Sequence, residues 1–296
     1  MQAQTILYGV GATKAGTSSL YRYLHDHPEC TMPAVKEAHY WDTFDPGPLA
    51  KQTVAFRQRL RALRQQKSVA ISDGAVWKAG NLDRRINEMK AVLAVLEGDR
   101  TDDVAYAKWL TGRAPTGLVG DITPAYATLP DAVLTRMAAL SAQAKFVLLM
   151  RDPLDRLWSH IRMQAHRQRQ PHEVYEKKAN NILYRMLNRG QEQHILKRGD
   201  YPAMIRKLRR VIDEDQLLIL FTEDMFAAAG LDRLTKFLGI ANVPPADIKP
   251  AHVGQDVQMF DKLRPRALGL LAGQYEWVAR NVGPLPQRWR DNLHSL

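Results

Sequence analysis

Cysteine is nearly missing from this chain, with Cys30 the single one among 296 residues. That excludes an intrachain disulfide, and with it the small stapled scaffolds typical of secreted proteins. Long apolar runs are missing as well. No stretch reaches the roughly 18 uncharged apolar residues expected of a membrane span. Residues 1–12 show no basic leader followed by an apolar core and a small-residue cleavage site. Internal repeats and low-complexity tracts are absent, and the nine histidines are too scattered to suggest a metal site. These absences predict a soluble, cytoplasmic chain without a resident metal or a membrane span.

Acidic charge is also scarce: 31 Asp and Glu face 42 Lys and Arg, a net charge of +11 at pH 7. Between Arg151 and Arg210 the count is 15 basic against 6 acidic residues, so most of the excess falls in one short stretch. Such a patch attracts a polyanion or an anionic nucleotide, though solvated basic helices produce the same count. A nucleic-acid-binding protein is therefore one reading, and charge alone does not choose it. With 45% apolar and 25% charged residues, the composition is that of a globular protein.

Periodicity supplies the fold class. Thr5 to Ala12 is a continuous apolar run ending in Gly9 and Gly11, and Ser18 to His27 then carries Leu20, Tyr23 and Leu24 at helical spacing before Pro28. A second strand, Lys145 to Met150, leads through Arg151, Asp152 and Pro153 into a helical pattern, with Asp152 placed as N-cap and Pro153 at the first helical position. A third, Gln216 to Phe221, precedes a helical Glu223 to Leu238. Apolar strands alternating with helices predict an α/β fold with a central parallel sheet flanked by helices on both faces. Between about 45 and 117 the pattern is mainly helical (Ala55 to Gln66, Leu82 to Leu96, Ala105 to Leu110), which reads as an insertion on one domain spanning 1–296.

The most informative stretch is Gly9 to Leu20, GVGATKAGTSSL. A strand that ends in glycines and feeds a helix offers backbone N–H groups and a positive dipole end to a phosphate. Lys14 adds a full charge, and Thr17, Ser18 and Ser19 add hydroxyls. A dinucleotide fingerprint fails because Lys14 stands where its third glycine belongs. A Walker A loop fails because the lysine precedes the glycine in Lys14-Ala15-Gly16-Thr17. This disfavours a P-loop nucleotide kinase or other phosphotransferase, the second alternative.

The loop resembles the phosphosulfate loop of sulfotransferases that use 3′-phosphoadenosine-5′-phosphosulfate (PAPS), in which Lys-x-Gly-Thr-Ser/Thr opens the first helix of a P-loop-like three-layer fold. The resemblance implies that Lys14, Ala15, Gly16, Thr17, Ser18 and Ser19 hold the donor, and that no nucleic acid is bound. It implies a 3′-phosphate element too: a strand-end arginine and a serine two turns into the next helix, matched here by Arg151 and Ser159. Guanidinium suits bidentate phosphate contact; the alternative is that Arg151 caps the helix or pairs with Asp155.

Lys36-Glu37-Ala38-His39-Tyr40-Trp41 is similar to a Lys-Glu-x-His segment of heparan sulfate and related carbohydrate sulfotransferases, where the glutamate is the general base. An attacking hydroxyl must lose its proton. Glu37 is the preferred base, and His39 the rival, since cytosolic members of the superfamily use histidine. Gly120 to Tyr126 is similar to the Glu-Lys-Thr-Pro-x-Tyr segment of the glycan enzymes, but Ile122 replaces a lysine that meets anionic polysaccharide there, which argues against a heparan-like acceptor. Arg198-Gly199-Asp200-Tyr201 is similar to the superfamily's Arg-Gly-x-Tyr turn, implying nucleotide contacts by Arg198, Gly199 and Tyr201. The late basic Lys-Gly-Arg nucleotide loop of the glycan enzymes is not evident, and Lys249 to Gly254 occupies about its place. The implied reaction is transfer of a sulfuryl group from PAPS, releasing adenosine 3′,5′-bisphosphate, to a hydroxyl or amine of a small molecule, lipid or glycan. Lys14 would stabilise the leaving oxygen.

Overall fold

A computed structural model describes residues 4–245 and 257–295. Lys249 to Gly254, the stretch at the place of the late nucleotide loop, lies outside them. The described strands form one five-stranded parallel sheet in the order β2-β3-β1-β4-β5. In chain order they are β1 (Thr5–Gly11), β2 (Cys30–Thr31), β3 (Leu118–Asp121), β4 (Ala144–Met150) and β5 (Leu217–Phe221). The two central strands read as unbroken apolar runs because helices cover both faces of the sheet: β1 is buried from Ile6 to Gly11, and β4 from Phe146 to Met150. The chain moves from central β1 to one edge for β2 and β3, then crosses to the other side for β4 and β5. The switch point therefore lies beyond the C-terminal end of β1, where ligands bind in open parallel sheets.

Helix α1 (Thr17–Asp26) follows β1 with almost the expected bounds. Helices α2 (Pro46–Ser72), α3 (Val76–Glu97) and α4 (Val104–Thr111) fill the crossover from β2 to β3. The first two are longer than their periodicity suggests and pack as a hairpin turned at Asp73 and Gly74 (φ 67°). After β3 come α5 (Asp131–Ala139), β4 and α6 (Pro153–Gln168). Asp152 caps α6 as expected, its carboxylate accepting from Asp155 N–H at 2.9 Å. Next are α7 (Tyr175–Arg189), α8 (Gln193–Lys197), α9 (Tyr201–Val211) and α10 (Ala228–Leu238).

One expectation needs correction. The helix after β5 begins at Ala228, not Glu223, because residues 222–227 form turns whose groups are engaged elsewhere. Thr222 N–H bonds Met150 C=O at 2.7 Å, and the Glu223 carboxylate accepts from Asp152 N–H at 2.8 Å.

Two further helices, α11 (Arg264–Asn281) and α12 (Gln287–His294), brace the end of β4. Tyr275 of α11 donates to the Asp152 carboxylate at 2.7 Å and accepts from Leu154 N–H at 3.2 Å. Asn292 of α12 donates to the same carboxylate at 2.9 Å, and Trp289 Nε1–H reaches Glu223 at 3.1 Å. Every described partner of the Asp152 carboxylate is thus a donor, as a buried carboxylate requires. No described helix is long and apolar enough to cross a membrane.

Tyr275→Phe removes a donor from a buried carboxylate and an acceptor from Leu154 N–H. We predict a loss of about 1–3 kcal/mol in unfolding free energy. Urea denaturation is the check, and an unchanged midpoint would show that α11 is not held through Asp152.

Candidate active site

The loop between β1 and α1 is bent by two residues in the left-handed region, Lys14 (φ 70°) and Gly16 (φ 89°). Gly16 is required twice over, by its φ and because a Cβ there would lie 2.5 Å from Thr222 Cγ2. Thr222 also donates its hydroxyl to Ala15 C=O at 2.5 Å, and Ala12 N–H bonds Leu149 C=O at 2.8 Å. The loop is therefore clamped from β4 and from the segment after β5. Helix α1 starts with no side-chain cap and no acidic residue in its first turn, which leaves its positive end to an anion. Ala15 and Thr17 are buried, while Lys14, Ser18 and Ser19 are half-buried on the open side.

Positive charge converges on this corner. The Lys14 ammonium is pushed below the usual lysine range first by burial, then by Arg151, Arg162 and Arg167, with Glu37 opposing. Lys14, Arg151 and Glu37 thus come from three separate segments to one place. Asp155, the alternative partner for Arg151, is instead held by Arg288 through two 2.9 Å bonds. Ser159 sits half-buried two turns into α6.

The Arg-Gly-x-Tyr turn works mostly from behind. Tyr201 is fully buried, and its hydroxyl accepts from Arg151 N–H at 3.0 Å and donates to Arg151 C=O at 2.6 Å. It fixes the backbone that presents Arg151. Gly199 lies under Arg156, whose guanidinium a Cβ would overlap. Arg156 is 1% exposed and reaches Thr13 C=O at 3.5 Å and Ile195 C=O at 3.3 Å, tying the phosphate loop to α8. Arg198 itself is exposed. Nearby His160 is buried, and burial together with Arg156, Arg198, His194 and Lys14 drives its pKa down to about 2, so its ring is neutral.

The candidate base lies on the other side of the switch point. Ala38 N–H donates to the buried Asp121 carboxylate at 3.4 Å, and Tyr40 N–H to the Tyr126 hydroxyl at 3.0 Å. Tyr126, Tyr106 and Thr123 in turn donate to Asp121 at 2.7, 3.0 and 2.7 Å. Holding residues 38 and 40 this way leaves Glu37 (φ 66°) and His39 (φ 55°) both left-handed, and their side chains meet. His39 Nδ1 is 2.8 Å from Asp42, and its Nε2 is 3.6 Å from the Glu37 carboxylate, which also binds Lys36 at 2.6 Å. Burial would lower the His39 pKa, but Asp42 and Glu37 outweigh it and raise it to about 9. Burial would raise Glu37, but His39 and Lys36 bring it down to about 2. Asp42 had no signal in the sequence beyond its spacing of three from His39.

A family model described as the sulfotransferase family matches residues 7–242. No curated protein matches the chain in sequence. Among solved structures, a sulfotransferase from Alicyclobacillus acidocaldarius is similar over 97% of this chain and 99% of its own, with a TM-score of 0.61 at 21% identity. A sulfotransferase domain from the curacin biosynthetic pathway aligns over 100% and 98% at 14% identity, with a TM-score of 0.43. One from the Synechococcus PCC 7002 olefin synthase aligns over 91% and 94% at 15% identity, with a TM-score of 0.42.

Gly199→Ala forces the Arg156 guanidinium off its carbonyl partners. We predict a destabilisation of about 1–3 kcal/mol, measured by urea unfolding. Wild-type stability would mean that Arg156 relocates freely and does not tie the loop down.

Proposed function

The chain belongs to the sulfotransferase family, and from that premise we propose that it takes PAPS as donor and transfers the sulfuryl group to a hydroxyl or amine of a small molecule, lipid or glycan. The observation that carries the donor reading is an uncapped helix N-terminus behind a left-handed Lys14-to-Gly16 loop, in the same corner as the strand-end Arg151. A ligand with phosphates at both ends of an adenosine suits that corner. The donor supplies the sulfuryl group and departs as adenosine 3′,5′-bisphosphate.

The chain's part is positioning and electrostatics. The α1 N-terminus with Thr17, Ser18 and Ser19 holds the 5′ end, and Arg151 and Ser159 hold the 3′-phosphate. Lys14 balances charge on the oxygen that leaves. Arg198 adds positive charge at the rim, while Gly199 and Tyr201 support Arg156 and Arg151 from below. A pKa near 9 leaves His39 an imidazolium at neutral pH, with no lone pair to accept a proton. Glu37 is ionised and is the base in this reading, with His39 orienting it and Asp42 orienting His39.

Two predictions test the assignment. Arg151→Ala should weaken binding of adenosine 3′,5′-bisphosphate at least tenfold more than that of adenosine 5′-monophosphate, by calorimetry. Equal losses would remove Arg151 from the 3′-phosphate. The second concerns the base. Glu37→Gln should lower turnover by about 10²- to 10⁴-fold, His39→Asn by much less, and the wild-type rate should stay flat from pH 6 to 8. If His39 were the base, its neutral fraction would grow about tenfold per pH unit below 9, so the rate would climb steeply over that interval and His39→Asn would cost more.

A further inference from the structure

Beside Glu37 the surface opens into a recess of about 320 Å³ lined by Ser18, Tyr21, Arg22, Lys36, Arg59 and Arg85, among other residues. Three elements build it. Ser18, Tyr21 and Arg22 lie on one face of α1, at positions i, i+3 and i+4, so the recess starts at the donor loop and runs along the helix. Lys36 comes from the segment that carries Glu37. Arg59 and Arg85 come from α2 and α3, one from each arm of the helical hairpin. No lining residue is acidic.

The two hairpin arginines are distinctive in how they are left. Their neighbours on the same helices have partners: Arg57 pairs with Glu97 at 2.9 Å and Lys67 with Asp83 at 2.6 Å. Arg59 and Arg85 form no ion pair among the described residues. Instead they oppose each other, and the Arg59 guanidinium is held below the usual range by burial first and Arg85 second, with Glu37 offsetting part of it. Glu37 is itself bound to Lys36 and relieves the repulsion only in part, so an anion that joins the two guanidiniums is favoured. Paired guanidiniums are well suited to a carboxylate, phosphate or sulfate group. A larger hollow of about 900 Å³ continues from the same place, sharing Tyr21, His25, Ala34 and Arg85 and bounded by Trp109 and Met32. Its one carboxylate, Glu88, is already held by Arg113 at 2.6 Å and by Trp109 at 2.9 Å.

We infer that this recess is the acceptor subsite, and that the acceptor carries a negatively charged group which Arg59 and Arg85 grip while its hydroxyl or amine lies at Glu37. The inference rests on the sulfotransfer reading above. It gives the helical crossover a task, since without α2 and α3 the recess has neither arginine.

The test is a set of matched acceptor probes that differ only in charge: 4-hydroxyphenylacetate and its amide, 12-hydroxydodecanoate and its amide, and glucuronate and glucuronamide. Each is titrated calorimetrically into the full chain saturated with adenosine 3′,5′-bisphosphate. We expect the anionic member of at least one pair to bind tenfold or more tightly than its amide. In the R59Q/R85Q double variant that ratio should fall below about twofold, with the affinity for adenosine 3′,5′-bisphosphate unchanged. Both arginines keep exposed surface and neither belongs to the apolar core, so the variant is expected to fold, and circular dichroism checks it. Amides binding as well as the acids, no probe binding at all, or a preference that survives in R59Q/R85Q each overturns the inference. A chain that does not take up adenosine 3′,5′-bisphosphate counts against the donor reading alone, and the paired titrations are then judged by the same criteria on the unloaded chain.

Discussion

A carboxylate buried at the end of a parallel strand has to have its lone pairs answered by donors, and this site is organised around two of them. Asp121 ends β3 and Asp152 follows β4, on either side of the central strand. Each collects three or more donors, and leaving even one such group unanswered costs on the order of 1–3 kcal/mol. Asp121 recruits Ala38 N–H directly and Tyr40 N–H through Tyr126, so the segment bearing the proposed base is held on both sides of His39. Asp152 recruits Asp155 N–H, Tyr275 and Asn292, so the two last helices close over the strand end that presents Arg151. Burial raises both carboxyls above their ordinary range, and the hydrogen bonds offset only part of that rise. The proposed catalytic side chains are on loops, but loops tied down by buried hydrogen bonds.

The site holds two histidines whose pKa values shift in opposite directions, and their partners decide which is which. At His160 burial lowers the pKa, and Arg156, Arg198 and Lys14 push it further the same way, so its ring stays neutral. His39 lies between Asp42 and Glu37 and carries a charge. Burial acts in the same direction on both and so cannot be what separates them. Around the donor loop the chain collects cations with few compensating carboxylates, a costly arrangement for the protein alone and a favourable one for a multiply charged nucleotide.

Much of this was legible in the sequence, for identifiable reasons. The strand-loop-helix at residues 5–26 and the Met150-to-Pro153 junction are local: periodicity, glycines, an N-cap aspartate and an N1 proline lie within a few residues of one another. What escaped depends on residues far apart in the chain. Strand β2 is only two residues long and exists because β3 is beside it. Thr222 meets Ala15 across 207 positions, and Asn292 meets Asp152 across 140. The helical reading of residues 223–227 failed because Glu223 is spent on Asp152 N–H and Trp289, a tertiary demand that outweighs local propensity. The Arg-Gly-x-Tyr turn suggested ligand contacts for all three of its signature residues. Folding turns Tyr201 inward to Arg151 and Gly199 under Arg156, so two of the three meet an arginine in the interior.

Lys36 connects the proposed base to the proposed acceptor recess. It binds the Glu37 carboxylate at 2.6 Å and also lines the recess. A carboxylate held near pKa 2 is a weak base for an alcohol, because an efficient base lies closer to the working pH. An anionic group entering the recess competes for the Lys36 ammonium, and each part of that charge drawn away lets the proton affinity of Glu37 rise. The acceptor's own charge would then strengthen the base that deprotonates it. A neutral acceptor of the same shape would lose twice, through the contacts of Arg59 and Arg85 and through a base that remains neutralised by its lysine. On this argument acceptor charge enters kcat as well as KM, since the gain at Glu37 is realised only as the proton moves.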